Sequence, residues 1–196
     1  MKIRKSLLIT FSSTYAKLVI QFVASLFIAR LLTPEEFGIF SISMLLVLIA
    51  DTLRNFGVAG YIVQEKDLTP ARLSSASGLN YVTSWFIGGL VALLAEPAAR
   101  FFDAEGVSDV MHLLSFNFLM MPVGAATMAY MRRELMFDRI AIVRISQTLI
   151  STVASVTLAF LGFSYMSLAW GYLLGTVMSI LLIWRLKPAG LRIRPS

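Results

Sequence analysis

The sequence predicts an all-α integral membrane fold built from six transmembrane helices. Apolar residues make up 58% of the chain and charged residues 14%, against roughly 45–50% and about 25% in soluble domains, and the mean hydropathy is +0.79. Six apolar stretches come near the about 20 residues that cross a bilayer, where each backbone N–H and C=O has to be paired within its own helix. Lysine and arginine collect at alternate ends of those stretches.

In order, the stretches are Leu7 to Leu32, Phe37 to Val58, Leu79 to Leu94, Val110 to Met131, Ile140 to Leu161 and Met166 to Trp184. The separators carry the proline, glycine and charge that end helices: TPEEFG at 33–38, QEKDLTPARLSS at 64–75, EPAARFFDAEG at 96–106, RRELMFDR at 132–139 and GFS at 162–164. The third stretch is the most polar, with Asn80, Thr83 and Ser84 near its start and Gly88–Gly89 in its middle. Residues 1–186 form the helical lobe and 187–196 a basic cytoplasmic tail.

Cytoplasmic loops retain lysine and arginine. The side shared by both termini would hold Lys2, Arg4, Lys5, Lys66, Arg72, Arg132, Arg133, Arg139, Arg144, Arg185, Lys187, Arg192 and Arg194, against Arg30 and Arg100 on the other. That bias puts both termini in the cytoplasm. The opposite side is acidic, with Glu96, Asp103, Glu105 and Asp109. The same placement argues against nucleic acid as a partner despite the net charge of +6, because the bases flank apolar spans and do not share a face with exposed aromatics. The start MKIRKSLLITF has the look of a leader, but its apolar segment runs past a cleavable length and is read as an uncleaved first helix.

Cysteine is absent and His112 is the lone histidine, which removes thiolate and multi-histidine metal sites. There is no acyl-transfer His/Asp motif, no pair of catalytic carboxylates and no nucleotide-binding glycine loop, so the sequence is read as having no catalytic residue, no cofactor and no metal.

Ionisable residues inside spans carry the functional signal. Lys17 lies ten residues beyond Leu7, about 15 Å deep at the helical rise. Asp51 reaches a similar depth on the returning second helix, and Arg54 lies about one turn nearer the cytoplasm. On the first helix Thr10, Thr14, Lys17, Gln21 and Ser25 share a stripe, and on the second Asp51, Arg54 and Asn55 share a face. Two readings stay open. In one, Lys17, Gln21, Thr14, Arg54 and Asn55 line a polar cavity whose two bases against one acid suit an anionic ligand, with Asp51 as ion-coupling group or ion-pair partner. In the other, Asp51 and Arg54 form a structural pair and Lys17 snorkels.

Packing signals lie elsewhere. Gly171, Gly175 and Ser179 on the last helix, and Gln147, Ser151 and Ser155 on the fifth, recur every four residues, the spacing that lets membrane helices approach closely. Pro122 with Gly124 weakens the fourth helix. The segment RRELMFDRIAIVR at 132–144 is partly amphipathic and suits contact with membrane lipids.

The run ARLLTPEEFGIFSISM at 29–44 resembles the link between the first two helices of oligosaccharide flippases, the polysaccharide-transporter branch of the multidrug, oligosaccharidyl-lipid and polysaccharide exporter superfamily. DTLRNFGVAGYIVQEKDLT at 51–69 is similar to the block that follows in those proteins. The resemblance implies a flippase-like bundle of which this chain is the N-terminal half. It implies transfer of an undecaprenyl-pyrophosphate-linked oligosaccharide from the inner to the outer leaflet of a bacterial inner membrane, through a cationic central cavity in which Lys17 and Arg54 are placed by position. Members of the family usually have about twice as many spans. The expectation is therefore half a transporter completed by a second lobe or by a homodimer, whose even span number gives both copies the same orientation. The alternative is a non-transporting scaffold or a truncated flippase remnant in a polysaccharide biosynthesis system.

Overall fold

In hydrocarbon a backbone satisfies itself only as a helix or a closed barrel, and this chain takes the first solution. The computed structural model describes residues 2–55 and 70–187, with side chains for 11–54 and 77–187. Its helices are α1 (Lys2–Leu31), α2 (Pro34–Asn55), α3 (Pro70–Phe101), α4 (Gly106–Arg133), α5 (Phe137–Phe160) and α6 (Met166–Leu186). All six are long and apolar enough to cross a membrane, and no strand occurs among the described residues. The helices outrun the apolar stretches that define them; α3 starts nine residues before Leu79 and continues through Pro97. Residues 56–69 and 188–196, which hold the IVQEKDLT block and most of the stretch read from the sequence as a basic tail, lie outside the described residues.

α4 is the central helix. Half of its span is buried, against 6% for α1 and 11% for α2. α2, α3 and α6 pack on α4, α5 packs on α6, and α1 packs on α5. The largest apolar core lies where α2, α3, α4 and α6 meet, around Val91, Val107, Val110, Leu114 and Phe118.

Without a hydrophobic force between helices in lipid, close packing needs small residues, and the glycine spacing read from the sequence marks such a seam. A Cβ added at Gly171 would collide with Ser155 Oγ and lie 2.7 Å from the Ser151 carbonyl; one at Gly175 would lie 2.8 Å from Ser151 Cβ and 3.0 Å from the Gln147 carbonyl. The two small-residue ladders thus face each other across α5 and α6. At Pro122 the fourth helix stays continuous, and Gly124 two residues on lets Ile183 of α6 approach.

Three helices close alike. Asp103, Leu135 and Gly162 take positive φ values of 50°, 53° and 83°. The next residue in each case donates its N–H five residues back, Ala104 to Ala99, Met136 to Met131 and Phe163 to Leu158, at 2.9–3.1 Å. These are Schellman closures, which use the carbonyls left over at a helix end.

The end of the bundle that holds the α1–α2, α3–α4 and α5–α6 turns is tied by its acidic residues. Thr33 and Glu36 form a reciprocal capping box: the Thr33 N–H donates to Glu36 Oε2 at 2.7 Å and the Glu36 N–H to Thr33 Oγ1 at 3.2 Å. Pro34 occupies the first helical position, where its missing N–H is harmless. Glu36 Oε1 also accepts from Ser164, Tyr165 donates to Asp109 Oδ2 at 3.1 Å, and Ser108 donates to Glu96 Oε1 at 3.0 Å. Glu36, Glu96 and Asp109 therefore link neighbouring helices and turns.

Gly171→Ala should destabilise the protein in detergent by roughly 1–3 kcal/mol, as overpacking does. Gly89→Ala has open space around it and should be neutral or stabilising by up to about 1 kcal/mol; denaturant unfolding followed by circular dichroism separates the two.

Candidate functional site

The polar residues of α1 and α2 go to two different places. On α2, Arg54 lies three positions after Asp51, so one turn of helix brings their side chains together. Arg54 Nε and Nη2 donate to Asp51 Oδ1 at 2.9 and 2.8 Å, and Nη1 donates to Ser84 Oγ at 3.2 Å and Asn80 Oδ1 at 3.4 Å. The Arg54 side chain is 7% exposed and that of Asp51 27%. A guanidinium in this setting requires a counter-charge and acceptors, and α3 supplies the acceptors. Two of the three polar residues that make the third stretch look weak as a span, Asn80 and Ser84, are thus partners of an arginine on its neighbour. Their four-residue spacing at matching depth is the signal by which the sequence could have shown it.

The stripe on α1 leads elsewhere. Gln21 and Ser25 line a cavity of about 600 Å³ bounded by α1, α2, α5 and α6. Thr33, Ser151, Thr152, Ser155 and Tyr172 add further hydroxyls to walls that are otherwise apolar, Phe37 and Phe40 among them. Lys17, half-buried, and Thr14, exposed, continue the Gln21 stripe one and two turns further along α1, outside the cavity lining. Among the described residues no ion pair joins Lys17 to Asp51.

The structure therefore brings Asp51 and Arg54 together and leaves Thr14, Lys17 and Gln21 on a separate stripe. Similar depth does not make the three charges one cluster, because α1 packs on α5 while Arg54 turns toward α3. The side chain of Asn55 lies outside the described residues. Tyr172 is the residue that sequence reasoning missed: it lines the cavity from α6. One tyrosine in an apolar helix gives no periodic signal.

The model of a family described as "Polysaccharide biosynthesis protein" matches residues 27–196. This chain belongs to that family. The matched region takes in both blocks, 29–44 and 51–69, on which the resemblance to polysaccharide exporters rests, and the family is of exporter type. The chain is 27% identical over 155 residues to "Lipopolysaccharide biosynthesis protein WzxC" of Escherichia coli (strain K12), covering 79% of this chain and 32% of that protein. It is 25% identical over 171 residues to "Uncharacterized membrane protein in cps region" of Klebsiella pneumoniae, covering 87% of this chain and 35% of that one. The chain thus spans about a third of the length of the curated relatives it matches. No solved structure matches it. Six apolar helices and membrane-protein relatives make it a multi-pass membrane protein of polysaccharide biosynthesis.

Breaking a buried ion pair from one side leaves a lone charge, worth about 3–5 kcal/mol, whereas removing both charges together is far milder. Asp51→Ala should accordingly lower the unfolding free energy in detergent more than the Asp51→Ala/Arg54→Leu double variant does, and a double-mutant cycle reads the difference.

Proposed function

We propose that this chain is one lobe of an exporter that carries an undecaprenyl-pyrophosphate-linked oligosaccharide from the inner to the outer leaflet of the bacterial inner membrane, with both termini cytoplasmic and no catalytic step of its own. The observation that carries this reading is the 600 Å³ cavity between α1, α2, α5 and α6, with its amide and hydroxyl groups and its continuation along α1 through Lys17. Sugar hydroxyls exchange hydrogen bonds with Gln21, Ser25 and Tyr172. Lys17 neutralises a pyrophosphate arriving along the stripe, with Thr14 as a further donor, and the polyprenyl tail stays in lipid. Family membership supports the substrate class. A second lobe, or a second copy, closes the open side of the cavity.

In this reading Asp51 and Arg54 have a structural part. Their mutual bonds and the bonds to Ser84 and Asn80 leave a locally neutral group that holds α2 against α3, and ion coupling through Asp51 is the weaker reading. The scaffold alternative draws on the same observation, because a buried tie and a tight α5–α6 seam are what a non-transporting bundle also needs.

Complementation separates the two. The 196-residue chain is expressed in cells lacking their own lipid-linked oligosaccharide flippase, with and without a separately supplied second lobe, and surface polysaccharide is measured. Lys17→Ala and Gln21→Ala should each reduce rescue, Lys17→Ala by about tenfold, the worth of one charge-assisted hydrogen bond. No rescue in either arrangement, despite normal membrane insertion of the chain, identifies a scaffold.

A further inference from the structure

A second cavity, of about 350 Å³, opens at the end of the bundle away from the three turns. Its size is at the lower end of the roughly 300–1,000 Å³ typical of small-molecule sites. Pro122 and Thr127 of α4 form its floor, Ser77 and Tyr81 of α3 one wall, and Trp184 of α6 with Lys187 the other. α3 and α6 each pack on α4, so the cavity is the groove they leave above the central helix.

Several properties of this groove point to one kind of ligand. Thr127 is 7% exposed, yet its hydroxyl has no hydrogen-bond partner among the described residues. The hydroxyls of Thr52, Thr83, Thr148 and Thr176, by contrast, all bond to the carbonyl four residues back. A donor thus faces the cavity unused. Lys187 is exposed and, among the described residues, has no carboxylate within ion-pair distance. The C-terminal carbonyls of α6 would repel an anion beside Lys187, but Arg139 Nη1 already donates to the Leu186 carbonyl at 2.7 Å. The surrounding end of the bundle is strongly basic, with Arg132, Arg133, Arg144 and Arg185 nearby in sequence and only Glu134 and Asp138 as acids on the described ends of α4, α5 and α6. Tyr81 and Trp184 have the amphipathic rings that favour the headgroup level of a membrane, and basic pockets between transmembrane helices are suited to anionic headgroups.

We propose that this groove binds a phosphate group, with Lys187 as its counter-charge, Thr127 as a buried donor, and Tyr81 and Trp184 flanking it at the membrane surface. The phosphate is that of an anionic phospholipid headgroup or a free phosphate ion. The site is on the far side of α6 from the Gln21 cavity and does not depend on the transport reading.

The test titrates the full chain in detergent with phosphatidylglycerol, with a diacylglycerol of the same chains and with inorganic phosphate, and counts bound molecules by native mass spectrometry. Phosphatidylglycerol should be retained over diacylglycerol, and Lys187→Ala and Thr127→Val should each weaken its binding about tenfold, the scale of a charge-assisted hydrogen bond. Competition by inorganic phosphate at similar concentration assigns the site to the free ion, and lack of competition assigns it to the lipid. Equal retention of phosphatidylglycerol and diacylglycerol overturns the proposal, as does binding unchanged in both variants at unaltered melting temperature. Lys187 is exposed, so its variant keeps the test decisive even where Thr127→Val disturbs folding.

Discussion

Close backbone approach between α5 and α6 at Gly171 and Gly175 determines where the outer helices of this bundle can lie. Two helices in lipid gain little by hiding apolar surface from each other, so their attraction depends on how near their backbones come. The residues that permit this contact on α5, Ser151 and Ser155, also line the cavity beneath α1. Packing and cavity are consequently two faces of one stretch of helix. A side chain large enough to part α5 from α6 would also shift the cavity wall, and α1 with it, because α1 packs along α5.

Charge inside the membrane is handled by a different rule. Arg54 is enclosed by a carboxylate on its own helix and by an amide and a hydroxyl on the next, so its positive charge is cancelled where it stands. Lys17 has no such enclosure among the described residues. The two basic residues look alike as interruptions of apolar runs, yet one is a tie between helices and the other remains available at half-exposed depth. That difference depends on the neighbouring helix and is visible only when the partner is known.

Much of the architecture is legible from composition and spacing. Six spans, their turns and the small-residue ladders of α5 and α6 follow from periodicity and from the positions of proline, glycine and charge, because hydrocarbon leaves a backbone few options. The family could be read from residues 29–69, and the structure supplies a physical reason for part of that block: Thr33 and Glu36 cap α2, and Glu36 reaches Ser164 across 128 residues. What could not be read is pairing between helices. Depth places Lys17, Asp51 and Arg54 at one level, but a depth says nothing about azimuth, and azimuth sends Arg54 to Asn80 and Ser84. Likewise the acidic residues near the turns show in the sequence only as the charge of the outer side, although Glu36, Glu96 and Asp109 each accept a bond from a hydroxyl on another element.

The attachment of α1 has a mechanical corollary. It leans on α5 along one side and joins α2 through a two-residue link stiffened by the Thr33–Glu36 box, while only 6% of its span is buried. The part of the cavity wall that α1 supplies is therefore separate from the Arg54 tie and from the core around Phe118, whereas the part that α5 supplies is shared with the seam to α6.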